Sequence, residues 1–453
     1  MGIRKTDENT GKTTRRKFLK AGSMAFAGMA MPARRSLASV SEPLAIAGGS
    51  QAVSVPTERI ESLIRWPRYG DNEKRALHDL IDKATLANNE FYAEAPALET
   101  EWKAYMGAPH AKAHMNGSSA ITSMFFALDL PPGSEILVTS WNHFSDCLTE
   151  RFFGYVPVFV DVDPHTACFD LDDAKRKLSK NTRALFPMPC FGLPCEMDHI
   201  MGFAKEKGLL VIEDAAHAHG ASMQGKNVGN WGVMGIFSFQ VSKVMPAVEG
   251  GMGVYSTREY YERAAAFGHF EDPVKFPVES PVHAYAGTGF GQKYRMHPFG
   301  AVVARQQLRV LDEQHAMVEA NVRKLNDRLL QLPGLSEQRL RKDQKRAYYE
   351  GNLLLLDPGK AGFSRDALLK ALRAEGVRAF VWHFPQNHKF KIYSEAKWWH
   401  HPPPIAPAFP GNDEVDNNHI FVSHLYAQAD DVIDQYVKAF EKVWAHKADV
   451  AKL

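Results

Sequence analysis

Hydrophobic and polar positions along this chain follow two rhythms. Short runs rich in Val, Ile and Phe recur at Ile136–Thr139, Pro157–Val162, Ala184–Met188, Leu209–Glu213, Gly235–Phe239 and Gly251–Tyr255. Segments with helical spacing, among them Asp172–Leu178 and Met197–Lys207, lie between them. Continuous apolar strands alternating with helices predict a mainly parallel sheet, because parallel neighbours need a crossover and the crossovers cover both faces. The fold class is therefore α/β.

Beyond about residue 300 the rhythm changes. The amphipathic stretch Pro298–Leu332 predicts one long helix or two, Asn352–Leu356 and Arg378–Trp382 are strand-like, and Ala429–His446 predicts a final helix. This suggests a large domain over residues 39–300 and a smaller C-terminal α+β domain over 301–453. Pro402–Pro410 has the composition of a loop, and no internal repeat is evident.

Composition adds size and class. At 453 residues, with 45% hydrophobic and 23% charged positions, the chain can bury a sizeable core and divide into two domains. The net charge of +2 is unevenly spread, since residues 1–38 hold nine basic side chains against two acidic ones. The remainder is mildly acidic, which argues against a nucleic-acid partner.

That basic start predicts an export signal. Thr14-Arg15-Arg16-Lys17-Phe18-Leu19-Lys20 matches the twin-arginine consensus, Ala21–Met31 makes a short apolar region, and Ser36-Leu37-Ala38 offers a small-x-small cleavage site. The apolar run is too short to span a bilayer, so the protein is expected to be periplasmic or otherwise extracytoplasmic without stable membrane insertion. Twin-arginine export carries folded proteins, which suits one that captures a cofactor before leaving the cytoplasm.

Four cysteines occur, Cys147, Cys168, Cys190 and Cys195. Cys190-x4-Cys195 has the spacing of neither a common zinc site nor a CxxC redox motif, so they are expected to be buried apolar residues, with a disulfide as the lesser alternative. No metal site is expected from the scattered histidines.

Candidate chemistry gathers at strand ends. Leu209–Asp214 is a buried-type strand closing on Glu213 and Asp214, and ligand crevices of open α/β sheets lie outside the carboxyl ends of their strands. Past the strand Gly235–Phe239, the sequence Ser238-Phe239-Gln240-Val241-Ser242-Lys243 brings a lysine to the same rim. Pyridoxal phosphate needs such a pair, an acid against the pyridine nitrogen and an amine for an imine. Alone, Lys243 reads as a surface lysine and Asp214 as a strand-end cap. Asn116-Gly117-Ser118-Ser119-Ala120 precedes a helical pattern, where free amides and the helix dipole favour a phosphate, although an ordinary N-cap has the same composition.

Five ordered segments together resemble the DegT/StrS-type sugar aminotransferases. They are Asn116–Ala120; Pro157–Asp163; Glu213-Asp214-Ala215-Ala216-His217-Ala218-His219-Gly220-Ala221; Phe237–Lys243 with Glu249-Gly250-Gly251 behind it; and Lys293-Tyr294-Arg295-Met296-His297-Pro298. The resemblance covers roughly residues 58–445. It implies the aspartate-aminotransferase fold (fold type I), with a mainly parallel seven-stranded sheet. It also implies pyridoxal 5'-phosphate held by Lys243 as a Schiff base, Asp214 at the pyridine nitrogen and His217 beside the ring hydroxyl. Gly117, Ser118 and Ser238 would hold the phosphate. His143 falls where an aromatic residue stacks on the ring, or is a loop histidine.

Lys293 stands where the family commonly has an Asn that reaches the neighbouring subunit's cofactor phosphate, which implies a homodimer with shared sites. The string Lys-Tyr-Arg-x-His-Pro looks most like the cyclitol branch, which aminates keto-inositols. Arg295 is a candidate clamp for the donor carboxylate, or a structural ion pair. His383, His388 and Tyr393 lie where the family brings a loop towards the site, and Trp382, Trp398 and Trp399 form either a sugar-stacking wall or core. The expected reaction moves an amino group from glutamate or glutamine to a keto-sugar or keto-cyclitol. The alternatives are a sugar dehydratase, a branch that replaces the lysine with histidine, and a non-catalytic sensor on the same fold.

Overall fold

The computed structural model describes residues 42–85, 90–405 and 408–453. The twin-arginine segment at residues 1–38 lies outside them. Seven strands form the main sheet: β1 (His110–His114), β2 (Glu135–Thr139), β3 (Val156–Val160), β4 (Thr182–Phe186), β5 (Leu210–Asp214), β6 (Met234–Ser238) and β7 (Gly251–Tyr255). Their order is β1-β7-β6-β5-β4-β2-β3. The pairs β2–β3, β2–β4, β4–β5 and β5–β6 are parallel, and β7 runs antiparallel to both β6 and β1.

Six of these strands coincide with the apolar runs, displaced by a residue or two at most ends. The exception is β1, His-Ala-Lys-Ala-His, whose composition is that of a polar loop. Burial of its lysine is compensated by charge: Lys112 Nζ lies 3.0 Å from Glu99 Oε1 and 2.7 Å from Asp272 Oδ2, and these carboxylates hold its pKa up against desolvation.

The stretch expected to give one helix or two is a single helix, Pro298–Leu329, capped at its start by the side chain of His297. Ala301 and Ala304 pack in the core beside β6 and β7, whereas Leu325 and Leu329 pack with the C-terminal strands. One helix therefore spans from the large sheet to a second, four-stranded antiparallel sheet made by Leu335–Glu337, Asn352–Leu356, His419–Val422 and Ala379–Phe380, in that order. The final helix, Asp430–Ala445, buries Tyr436, Phe440 and Trp444 in that second core.

All four cysteines are buried free thiols. Cys195 Sγ points to Met188 O at 3.2 Å, and burial raises the pKa of Cys147 and Cys190. No group of metal-ligating side chains occurs among the described residues, and no helix among them is long and apolar enough to cross a membrane.

Candidate active site

Strand alternation separates the two carboxylates at the end of β5. Glu213 faces a turn and accepts hydrogen bonds from the amides of Gly229, Trp231 and Gly232 at 2.8, 2.6 and 2.8 Å, a structural use that consumes its oxygens. Asp214 faces the other way and is buried, with Oδ1 accepting from the Ala216 amide at 2.9 Å. That bond closes a tight turn that carries His217 into the same space.

The lysine arrives from the neighbouring strand. Beyond β6 the chain folds back through Phe239 N to Gly250 O (2.8 Å) and Ala247 N to Phe239 O (2.7 Å), and the turn is closed by Lys243 N to Gln240 O (2.8 Å). Lys243 Nζ donates to Tyr349 Oη at 3.2 Å and sits 4.6 Å from that ring's centre. Burial lowers the pKa of the amine, and the charges of Asp214, Glu350 and Asp146 oppose the fall. A desolvated amine beside acids is suited to attack a carbonyl and to carry a proton.

His217 is buried, with its ring 4.2 Å from Tyr349 and 5.7 Å from Phe191, and its Nδ1 has no hydrogen-bond partner. Burial first, and then Lys243, keep its pKa well below the ordinary imidazole range. His143 caps the short helix Phe144–Leu148 and binds Ser145 Oγ through Nδ1 at 2.6 Å. Burial, then Lys243, lower its pKa, while Asp214 opposes.

The phosphate candidates converge at the start of the helix Gly117–Leu128. Asn116 and Ser119 form a reciprocal cap, Ser119 N donating to Asn116 Oδ1 at 2.8 Å and Asn116 N to Ser119 Oγ at 3.1 Å. This leaves the first-turn amides of Gly117 and Ser118 at a positive helix end. A Cβ on Gly117 would sit 3.0 Å from Ser238 Cβ, so glycine is what lets the helix abut the end of β6. A Cβ on Gly251 would sit 2.4 Å from the Asn116 carbonyl oxygen, which fixes the cradle to β7 as well.

Other candidates fall elsewhere in the chain. Lys293 is exposed. Its neighbour Tyr294 accepts from Met115 N at 2.7 Å, so this segment runs beside the approach to the cradle. Arg295 pairs with Glu271 at 3.0 Å and lies 4.5 Å over Tyr92, on a cavity of about 470 Å³ also lined by Lys112 and His269. Within one chain, Arg295 is thus placed in an ion pair rather than against Lys243.

His383 is exposed, 3.8 Å from Asp416. His388 bonds Ser140 Oγ through Nδ1 at 2.5 Å and stacks on Phe409 at 4.0 Å. Asn387 Nδ2 next to it donates to Asn142 O at 2.7 Å, so this loop braces the segment bearing His143. Trp399 is buried and stacked 5.5 Å from the buried Tyr393, whereas Trp382 and Trp398 are exposed and form no common wall with it.

Three residues at the site have no signal of their own in the sequence. Tyr349 and Glu350 stand just before the strand Asn352–Leu356, and Asp146 lies within the short helix after His143. Each becomes visible only when distant segments are folded together.

A sequence profile of the DegT/DnrJ/EryC1/StrS aminotransferase family matches residues 67–406. The chain belongs to this family. The 3-amino-5-hydroxybenzoate synthase of Amycolatopsis mediterranei is 29% identical over 400 residues, which cover 83% of this chain and 97% of the relative. The L-glutamine:scyllo-inosose aminotransferase of Streptomyces griseus is 26% identical, covering 86% and 96%. Among solved structures, an aminotransferase from Psychrobacter cryohalolentis superposes with a TM-score of 0.75 at 26% identity, over 85% of this chain and 99% of its own.

Family membership makes the chain a pyridoxal-phosphate-dependent aminotransferase. Its residues fit that cofactor: a desolvated amine, a buried carboxylate, a helix start closed by Gly117 and Ser238, and an unpartnered buried His217 nitrogen lie at or just beyond the ends of β5 and β6.

Proposed function

We propose that this enzyme moves the amino group of glutamine or glutamate to a ketone on a sugar or cyclitol. The observation that carries it is the delivery of Lys243 and Asp214 from the ends of neighbouring parallel strands, with the charge of Asp214 acting on the buried amine and Tyr349 Oη 3.2 Å from it. Similarity to relatives named for 3-amino-5-hydroxybenzoate and for scyllo-inosose supports a six-membered carbocyclic acceptor.

Bound pyridoxal phosphate supplies an electron-withdrawing ring that acidifies the proton on the carbon bearing the amino group. Lys243, whose pKa burial lowers, would take up and return that proton. Asp214 would oppose the pyridine nitrogen and His217 the ring hydroxyl. The amides of Gly117 and Ser118 with Ser238 Oγ would bind the phosphate, and His143 would cover the ring.

We also read the enzyme as exported by the twin-arginine route and as a homodimer in which Lys293 serves the partner's cofactor. An acceptor outside the cytoplasm is a free keto-sugar or keto-cyclitol rather than a nucleotide sugar.

The test is a two-step assay with the purified enzyme. Glutamine or glutamate should shift the cofactor's absorbance, and a subsequent keto-inositol or keto-sugar should restore it and yield an aminated product by mass spectrometry. A cofactor band unmoved by any amino donor would overturn the transfer reading.

A further inference from the structure

The loop between β6 and β7 carries Lys243 and is strained at one point. Val241 N donates to Val248 O across it at 3.1 Å, and Glu249 N bonds Ala247 O at 2.8 Å, which closes a tight turn centred on Val248. Val248 takes a φ of +65° there although its side chain is 60% exposed, so burial of that side chain does not account for the conformation. A β-branched residue stays in the left-handed region only where its surroundings over-determine it.

Two hydrogen bonds from outside the loop supply that constraint, and both come from one short segment. Trp66 Nε1 donates to Val241 O at 3.1 Å, and Val248 N donates to Tyr69 Oη at 3.2 Å. Since Val241 and Val248 face each other across the loop, residues 66–69 grip both of its edges.

The grip is itself anchored. The preceding helix, Thr57–Ile64, buries Ile60 and Leu63 in the second core. Tyr426, just past the strand His419–Val422, donates from its amide to Leu63 O at 2.9 Å, and its ring stacks on Trp66 with centroids 4.7 Å apart. A segment fixed to the small sheet thus holds the loop that leaves the large one.

We infer that Trp66 and Tyr69 are positioning residues, which clamp the Lys243 loop from the side of the small sheet and hold it in the strained form that presents the amine. This rests on the assignment of Lys243 as the amine that takes the cofactor. Lys243 N is tied to Gln240 O at 2.8 Å, next to Val241, so release of the Val241 edge moves the backbone from which the amine reaches Tyr349.

The experiment compares wild type, Trp66→Phe, Tyr69→Phe and the double variant, each with and without Val248→Gly. Phenylalanine keeps an aromatic ring at both positions and removes only the N–H donor and the hydroxyl acceptor. In the cofactor-free protein, hydrogen exchange of the amides at 241–249 reports the grip directly. Loss of one ordinary hydrogen bond should speed exchange there about 3- to 10-fold, with the double variant beyond either single one and the β5 amides within about 2-fold of wild type. Cofactor trapped on Lys243 by borohydride, at one subsaturating concentration of pyridoxal phosphate, should fall about 3- to 10-fold in the double variant. Glycine enters the left-handed region without steric cost, so in the presence of Val248→Gly the double variant should trap within about 2-fold of Val248→Gly alone.

Unchanged exchange at 241–249 in the double variant, faster exchange spread evenly over the loop and β5, or the same loss of trapping with and without Val248→Gly overturns the inference. A wild-type adduct on a lysine other than Lys243 removes the underlying assignment instead, while the exchange comparison still decides whether Trp66 and Tyr69 hold the loop.

Discussion

Lys243 Nζ and Tyr349 Oη lie 3.2 Å apart, joining the end of the large sheet to the segment that enters the small one. Ser242 Oγ also reaches that hydroxyl, at 3.3 Å. Tyr349→Phe removes the acceptor and keeps the ring. A hydrogen bond to a charged group contributes about 1.5–3 kcal/mol, so kcat/KM should fall roughly 10- to 100-fold, with the alkaline limb of the pH profile displaced downward as the ammonium loses a partner. An unchanged profile would remove Tyr349 from the control of the amine.

Lys243→Ala should abolish borohydride trapping of the cofactor on the chain. Turnover should drop by ~10²–10⁴-fold or more, the contribution of a positioned general base. Peptide mapping of the reduced wild type should place the adduct on Lys243, and an adduct on another lysine would refute the assignment.

Gly251→Ala is expected to be harsher than Gly117→Ala. The new Cβ meets the backbone oxygen of Asn116 at 2.4 Å in the first case and Ser238 Cβ at 3.0 Å in the second, a milder overlap. Overpacking of this kind costs about 1–3 kcal/mol, so Gly251→Ala should lower Tm as well as cofactor affinity, and Gly117→Ala chiefly affinity. Thermal melts and cofactor titrations of both variants check the order.

Stability should decline on acidification. Burial holds His114, His219 and His424 at about 3 and His315 and His388 at about 4, against 6.5 when free. Each pKa is depressed on folding, so each contributes stability that is full above about pH 6.5 and is lost as pH falls towards the folded value. Melting curves from about pH 8 to pH 5 should show Tm falling below about 6.5, with protons taken up on unfolding.

Much of this site was legible because its parts sit at strand ends. The apolar run ending in Asp214 and the run before Lys243 mark two neighbouring parallel strands, and a parallel sheet delivers both ends to one rim. The strand β1 was missed because charge pairing, rather than apolar composition, admits Lys112 to the interior. Asp146, Tyr349 and Glu350 escaped for a related reason: their surroundings are set by segments far away in the chain, and no local spacing encodes that. Arg295 and His383 have suitable chemistry in suitable motifs, yet each finds its carboxylate partner away from Lys243, at Glu271 and Asp416.

The close approach of Gly251 to Asn116 ties cofactor capture to the order of folding. Among the described residues β1 pairs only with β7, more than 130 residues later in the chain, and the helix after it abuts both β6 and β7. The phosphate cradle is therefore among the last features to close, since pairing over such a separation carries a large entropic cost before any contact repays it. A nascent chain halted before Tyr255 would hold Asp214 and Lys243 but lack the β7 contact at Asn116 that braces the phosphate cradle. Retention of the cofactor thus doubles as a proofreading signal for completion of the sheet.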